Sequence, residues 1–92
     1  MFDYLVMPRN PGDFTPFVAD INRIAEFVNS RVYEGAMINI NIYRLLPGKE
    51  PQYVTVRRIV LRGCVISFDI VERYGTCIES VSFNPPVALP HR

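Results

Sequence analysis

Four stretches between Ala36 and Phe83 alternate apolar and polar side chains at the two-residue period of β-strands. Their apolar sides can all be set in one register. The stretches lie near 37–46, 52–62, 64–72 and 76–83. They are joined by Pro47-Gly48-Lys49-Glu50-Pro51, Arg62-Gly63 and Tyr74-Gly75, all good turn chemistry. A slip of one residue would send every side chain to the other face, so register can be tested on paper. A two-residue turn at Tyr74-Gly75 sets Phe68 opposite Val81 and Ile66 opposite Phe83; a three-residue loop with Gly75 as a bulge is the alternative. A turn at Arg62-Gly63 sets Leu61 opposite Cys64 and Ile59 opposite Ile66. Continued straight, that ladder places Arg57 against apolar Phe68. One extra residue at Arg57-Arg58 repairs it, so the pattern predicts a β-bulge there, with Val56 opposite Phe68 and Val54 opposite Ile70. The first hairpin asks for the same bulge, with Ile42 facing Val56, Ile40 facing Ile59 and Ile38 facing Leu61.

Upstream, Phe17, Ile21, Ile24, Val28 and Val32 recur at helical spacing. Thr15-Pro16 offers a hydroxyl cap followed by proline at the first helical position, and Gly35 offers a left-handed C-cap. The helix is therefore expected over 16–34. Phe2–Met7 alternates as a short strand and is a candidate fifth member of the sheet. The expected fold is α+β, in which one N-terminal helix packs on a four-stranded antiparallel meander as a two-layer sandwich. Residues 1–92 read as a single domain: a strand at 2–7, the helix at 16–34, the meander at 37–83 and a Pro-rich tail at 84–92.

Composition narrows the function classes. Residues 1–14 lack the basic start and long apolar run of a signal peptide, and no stretch approaches the roughly 20 apolar residues needed to span a bilayer. With two cysteines besides, the expected compartment is the cytoplasm, or the host cytoplasm for a phage-encoded chain. A net charge of +1 advertises no polyanionic partner, though the strand half is mildly basic and the helix half mildly acidic.

Reactive side chains are sparse. Cys64 and Cys77 lack the further cysteines or histidines of a metal site. The register also separates them by about 27 Å, which a disulfide cannot bridge, so both are expected as free thiols. His91, the lone histidine, sits beside the C-terminus, and Ser67, Ser80 and Ser82 have no base next to them. Glu72 and Glu79 share the inward side near Tyr74, at the fringe of the sheet, where Glu79 is expected to pair an arginine such as Arg44 or simply to reach water. Pro47-Gly48-Lys49 lacks the glycine spacing and following helix of a phosphate cradle. No catalytic residue, metal ligand or cofactor is expected.

The outward face carries more. Leu45, Tyr53, Val71 and Ile78 fall in one row across four strands, with Tyr43 beside them and Arg57, Arg58 and Asp69 next in line; Arg62 follows at the turn. Aromatics interleaved with arginine serve both protein interfaces and single-strand RNA platforms. An RNA-recognition motif would need a second helix and aromatic signature strands, which this chain lacks. The expectation is a non-enzymatic binding protein that occupies a surface of a larger protein or ribonucleoprotein complex. Its partner-binding residues would be Arg57, Arg58, Tyr53, Tyr43, Arg62, Leu45, Val71 and Ile78. Inhibitors, adaptors and accessory subunits work this way, and phage-encoded inhibitors of host defence such as anti-CRISPR proteins are one such class. Single-strand nucleic-acid binding through Arg57, Arg58, Arg62 and Tyr53 is the alternative, and a small enzyme the third.

Overall fold

In a computed structural model, residues 1–33, 39–62 and 64–83 are described; for Val32, Tyr33, Cys64 and Val65 only the backbone is. The described chain runs β1 (Asp3–Pro8), β2 (Phe17–Ala19), α1 (Ile21–Tyr33), β3 (Ile40–Leu45), β4 (Gln52–Leu61), β5 (Cys64–Val71) and β6 (Cys77–Ser82). It is a small α+β domain with one helix and a six-stranded antiparallel sheet in the order β2-β1-β3-β4-β5-β6. The Gly35 cap, the strand residues before Asn39, Gly63 and the 84–92 tail lie outside the described residues.

The sheet has six strands where four, or five, were expected. Phe2–Met7 does form a strand, and it is an interior one: β1 pairs with β3 along its whole length, from Asp3 opposite Leu45 to Pro8 opposite Ile40. Its other edge takes the sixth strand, β2, with Tyr4 opposite Ala19 and Val6 opposite Phe17. That pairing shortens the helix. Residues 17–19 satisfy their backbone on β1 instead of in a first helical turn, so α1 begins at Ile21. Asp20 is the N-cap, not Thr15. Its Oδ1 accepts the Arg23 N–H at 3.1 Å, and its carbonyl accepts the Ile24 N–H at 3.1 Å. Asp20→Ala should therefore cost about 1 kcal/mol in urea unfolding, whereas Thr15→Ala should be nearly silent; equal effects would return the cap to Thr15.

The helix presents Ile21, Ile24, Ala25 and Val28 to the sheet, all buried, at the spacing of one helical face. Phe17 still joins this layer from β2, where it meets Phe14 in a tilted contact at 5.9 Å and Phe27 edge-on at 5.1 Å between centroids. Arg31, in the last turn, lays its guanidinium over Phe27 at 4.7 Å and Phe14 at 5.3 Å. The helix touches β1 and β2 at one side of the sheet and β5 and β6 at the other. A flat six-stranded sheet is about 24 Å across and a helix only about 10–12 Å thick, so reaching both edges requires the sheet to curl. Tyr4, Val6, Ile42, Val54, Phe68 and Ile70 line the concave side and are buried to 2% exposure or less.

Register agrees in part with the expected one. Phe68 faces Val81, the Phe83 N–H bonds the Ile66 carbonyl, and Leu61 faces Cys64. The bulge is displaced, however. The shift falls between Ile59 and Val60, where Ile66 of β5 is the extra residue, so nothing is inserted at Arg57-Arg58. Val56 consequently faces Ile70, Ile59 faces Ser67, and Arg58 stands opposite Phe68. Ile42 faces Val54, two residues from the expected Val56, which preserves the face. Ile59 and Leu61, expected inside, are 51% and 44% exposed.

The turns explain these choices. Leu46–Lys49 closes with an N–H···O bond of 3.1 Å, with Gly48 at φ 72° behind Pro47, the signature of a type II turn. Arg62 adopts φ 52°, as a two-residue hairpin turn with the strand twist demands. At the third turn the three-residue alternative holds. Gly75 donates to the Glu72 carbonyl, Glu72 donates to the Thr76 carbonyl, and Gly75 takes φ 86°, which frees Tyr74 from any left-handed conformation. A shift between Ile70 and Val71 then absorbs Ile78 and restores the apolar match.

Candidate interaction surface

Directly opposed residues share a face, which places every candidate. On the convex side, Leu5 faces Tyr43 and Tyr43 faces Tyr53; the two tyrosine rings meet edge-on at 5.7 Å. Leu45 lies half-buried opposite Asp3. Along β4 the same side continues through Thr55, Arg57, Ile59 and Leu61. Tyr53, Ile59 and Leu61 are each close to half exposed, so the accessible apolar surface is a stripe down one long strand. The expected row across four strands does not form. Val71 is buried at 7% exposure opposite Thr55, and Ile78, shifted by the irregularity in β6, packs against the core.

Arg57 and Arg58 are both exposed but stand on opposite sides of β4. Arg57 is on the convex side and is held there. Its Nε and Nη2 each donate to Asp69 Oδ2 at 3.2 Å, while Ser67 (3.2 Å) and Ser80 donate hydroxyls to Asp69 Oδ1. Four donors converge on a carboxylate that is only 8% exposed. The Ser80 hydrogen bond, followed by those of Arg57 and Ser67, holds the Asp69 carboxyl below the usual carboxylate range against the opposing effect of burial. Both serines are donors to a fixed anion. Arg62 is exposed at the turn.

A second polar group lies inside the curl. Arg44, opposite Tyr4 on one side and Gln52 on the other, points into the concave face with a side chain 14% exposed. Its Nε donates to Gln52 Oε1 at 2.9 Å, its Nη2 reaches Gln52 Oε1 and Glu72 Oε1, the latter at 3.3 Å, and Phe2 stacks under the guanidinium at 4.9 Å. The arginine's partner is thus Glu72, not Glu79. Glu79 instead accepts the Phe2 N–H, tying the start of β1 to β6 across the open side of the curl. The Tyr4 hydroxyl is buried nearby without a partner at hydrogen-bond distance, so Glu79 acts on it mainly by charge. Burial first, then that charge, push the phenol above its ordinary value and keep it protonated. With Arg44 committed to Gln52 and Glu72, this group reads as a clasp holding the curl shut.

Cys77 is an exposed free thiol opposite Val71, and Cys64 lies opposite Leu61. Cys64 and Val71 are seven positions apart along β5, about 23 Å at strand rise, well beyond the Cα separation that a disulfide within one chain allows. His91 lies outside the described residues. Among the described residues no group of three His, Cys, Asp or Glu could hold a metal ion, and no helix is long and apolar enough to cross a membrane.

The sequence pattern hides the β4 stripe because an extra residue set in β4 at Arg57-Arg58 turns Ile59 inward, whereas the extra residue is Ile66 of β5 and β4 alternates without a break. The signal was present in the apolar run Ile59-Val60-Leu61, too long for a strand half-buried on one face. Comparison with protein-family models, with curated proteins and with solved structures returns no match.

Proposed function

We propose that this chain is a non-enzymatic binding protein that occupies a surface of a larger protein or ribonucleoprotein complex. One observation carries the reading: Tyr53, Ile59 and Leu61 stand exposed on the convex side of β4, around an arginine already fixed in place by Asp69. An aromatic ring, aliphatic side chains and an ordered arginine are the components from which interface hot spots are made. Fixing Arg57 in advance also lowers the ordering cost of binding. Tyr43 and Leu45 extend the surface onto β3. A protein acting in this way blocks or bridges, so inhibitor, adaptor and accessory subunit are its natural roles, and an inhibitor of host machinery encoded by a phage is one form of the first.

Direct nucleic-acid binding draws less support. Arg57 is paired with Asp69 and Arg44 with Glu72, and Arg58 faces the other side of the strand from Tyr53, so these arginines form no continuous track for a phosphate backbone among the described residues.

Affinity capture from the native cells, with and without nuclease, tests the reading when wild type is compared with Tyr53→Ala and Ile59→Ala. Tyr53→Ala should weaken the captured partner by about 2 kcal/mol, roughly 30-fold in Kd, while unfolding curves stay close to wild type. A partner held as tightly by both variants would move the site off this face. Capture that vanishes with nuclease would favour the nucleic-acid alternative.

A further inference from the structure

At the start of β4 the ladder with β5 ends with Thr55 opposite Val71. Before that pair lie Gln52 and Tyr53, held by Arg44 and Tyr43 of β3, while β5 gives way to the turn in which Gly75 donates to the Glu72 carbonyl. A cleft of about 660 Å³ opens between the two, lined by Gln52, Tyr53, Thr55, Glu72, Arg73 and Tyr74, all of them described residues. Parity sorts the lining. The register carried one step past Thr55 sets Glu72 beside Val54 on the concave side, in keeping with its bond to Arg44, and the next step sets Arg73 beside Tyr53 on the convex side. Tyr53, Thr55 and Arg73 therefore share a face, with Tyr74 at the tip of the turn next to them. The Tyr53 ring, 45% exposed, is backed edge-on by Tyr43 at 5.7 Å, so one aromatic wall is set in advance. Tyr74 is 90% exposed, a large ring that the fold itself barely uses.

We propose that this cleft binds a single nucleotide, with the base against Tyr53 and Tyr74 and the phosphate on Arg73. The site goes beyond the protein-binding reading and shares only Tyr53 with the residues that carry it. Size, charge and ring content select the ligand. The volume falls within the range of small-molecule sites and exceeds what one inserted side chain needs. Two ionised residues line the cleft; Glu72 is matched by Arg44 at 3.3 Å, and Arg73 carries the other charge, so the cleft favours an anion over a cation. Paired tyrosines favour a planar ring, because every nucleobase has a face that stacks on an aromatic side chain. The arginine fork matches phosphate oxygens. One nucleotide needs one phosphate contact and no track of arginines, so the separation of Arg57 from Arg58 does not count against it. A free nucleotide and an unstacked nucleotide of single-stranded RNA offer this same chemistry.

The test is an NMR titration of the full, 15N-labelled chain with AMP, adenosine, ribose 5-phosphate and a short single-stranded oligoadenylate. AMP should shift the amides of residues 53–55 and 72–76, and should bind about tenfold more tightly than either adenosine or ribose 5-phosphate, each of which lacks one of its two anchors. Tyr74→Ala should weaken AMP about tenfold with no change in the unfolding midpoint. Arg73→Glu should weaken AMP by a similar factor and leave adenosine unchanged, a split that an unfolded variant would not produce. Ile59→Ala, on the convex stripe but outside the cleft, should leave AMP affinity as it is. An oligoadenylate that shifts the same amides and binds more tightly than AMP assigns the site to RNA; equal affinity assigns it to the free nucleotide. No binding of AMP at millimolar concentration, shifts confined to other parts of the sheet, AMP no tighter than ribose 5-phosphate, or a Tyr74→Ala variant as tight as wild type would each overturn the inference.

Discussion

Phe68→Ala should be the most damaging single substitution in the sheet, costing about 3–5 kcal/mol. Phe68 is fully buried on the concave side, opposite Val81. Truncation removes the transfer free energy of an aromatic ring and leaves a void that neighbouring strands, tied by their ladders, cannot collapse to fill. A domain of this size has only about 5–15 kcal/mol of total stability, so the variant should lose at least about 12 °C in Tm. Ile59→Ala, on the neighbouring strand but 51% exposed, is the matched control and should shift Tm by less than about 4 °C. The pair separates the observed register from one with Ile59 inside: comparable losses at both positions would put Ile59 back in the core.

Much of this fold is written in local pattern. The last hairpin was legible because Phe68, Val81, Ile66 and Phe83 match in only one register, and Gly75 marks the residue that can take positive φ. The helix face was legible from Ile21, Ile24 and Val28. Its start was not. Phe17 continues the helical spacing backwards from Ile21, and Thr15-Pro16 is a good opening; nothing local reveals that residues 17–19 have a better use for their backbone on the edge of β1. That is a long-range competition, and β1 itself is six residues whose place beside β3 no neighbouring turn dictates.

The surface was less legible than the fold, and the reason is the bulge. Arg57 against Phe68 is an unfavourable pairing, and inserting a residue at Arg57-Arg58 removes it. In the protein β5 carries the extra residue, Ile66, so Arg57 meets Asp69 and it is Arg58, exposed, that stands opposite Phe68. Both solutions bury Phe68. Only a carboxylate with three hydrogen-bonding partners distinguishes them, and Arg57 of β4, Asp69 and Ser67 of β5 and Ser80 of β6 come together only once three strands are aligned. The same displacement exposes Ile59 and separates Arg57 from Arg58, which converts one expected basic patch into a convex stripe and a concave rim.

Asp69→Asn should cost about 2 kcal/mol near neutral pH, and the cost should shrink on acidification. The carboxylate accepts two N–H bonds from Arg57 on Oδ2 and two hydroxyl bonds on Oδ1. An asparagine keeps the shape but loses the charge: its NH2 cannot face the guanidinium, which only donates, so it must face the two serines, whose hydroxyls would have to turn round and accept. The titration gives the sign. Because the folded-state pKa of Asp69 is lowered, its stabilisation is fully present above the ordinary carboxylate value of about 3.9 and is lost as pH falls through the folded value. The gap between wild type and Asp69→Asn in urea midpoints should therefore be flat from about pH 5 to pH 8 and should narrow below about pH 4. Other carboxylates titrate in both proteins and cancel in the difference. Arg57→Ala should cost less, about 1 kcal/mol or below, since its side chain is 58% exposed and solvent screens the pair. A gap that stays constant down to about pH 2.5 would mean that Asp69 is not held as an anion. Arg57 would then be no more ordered than Arg58, and the convex stripe would lose the fixed cation around which its partner surface is drawn.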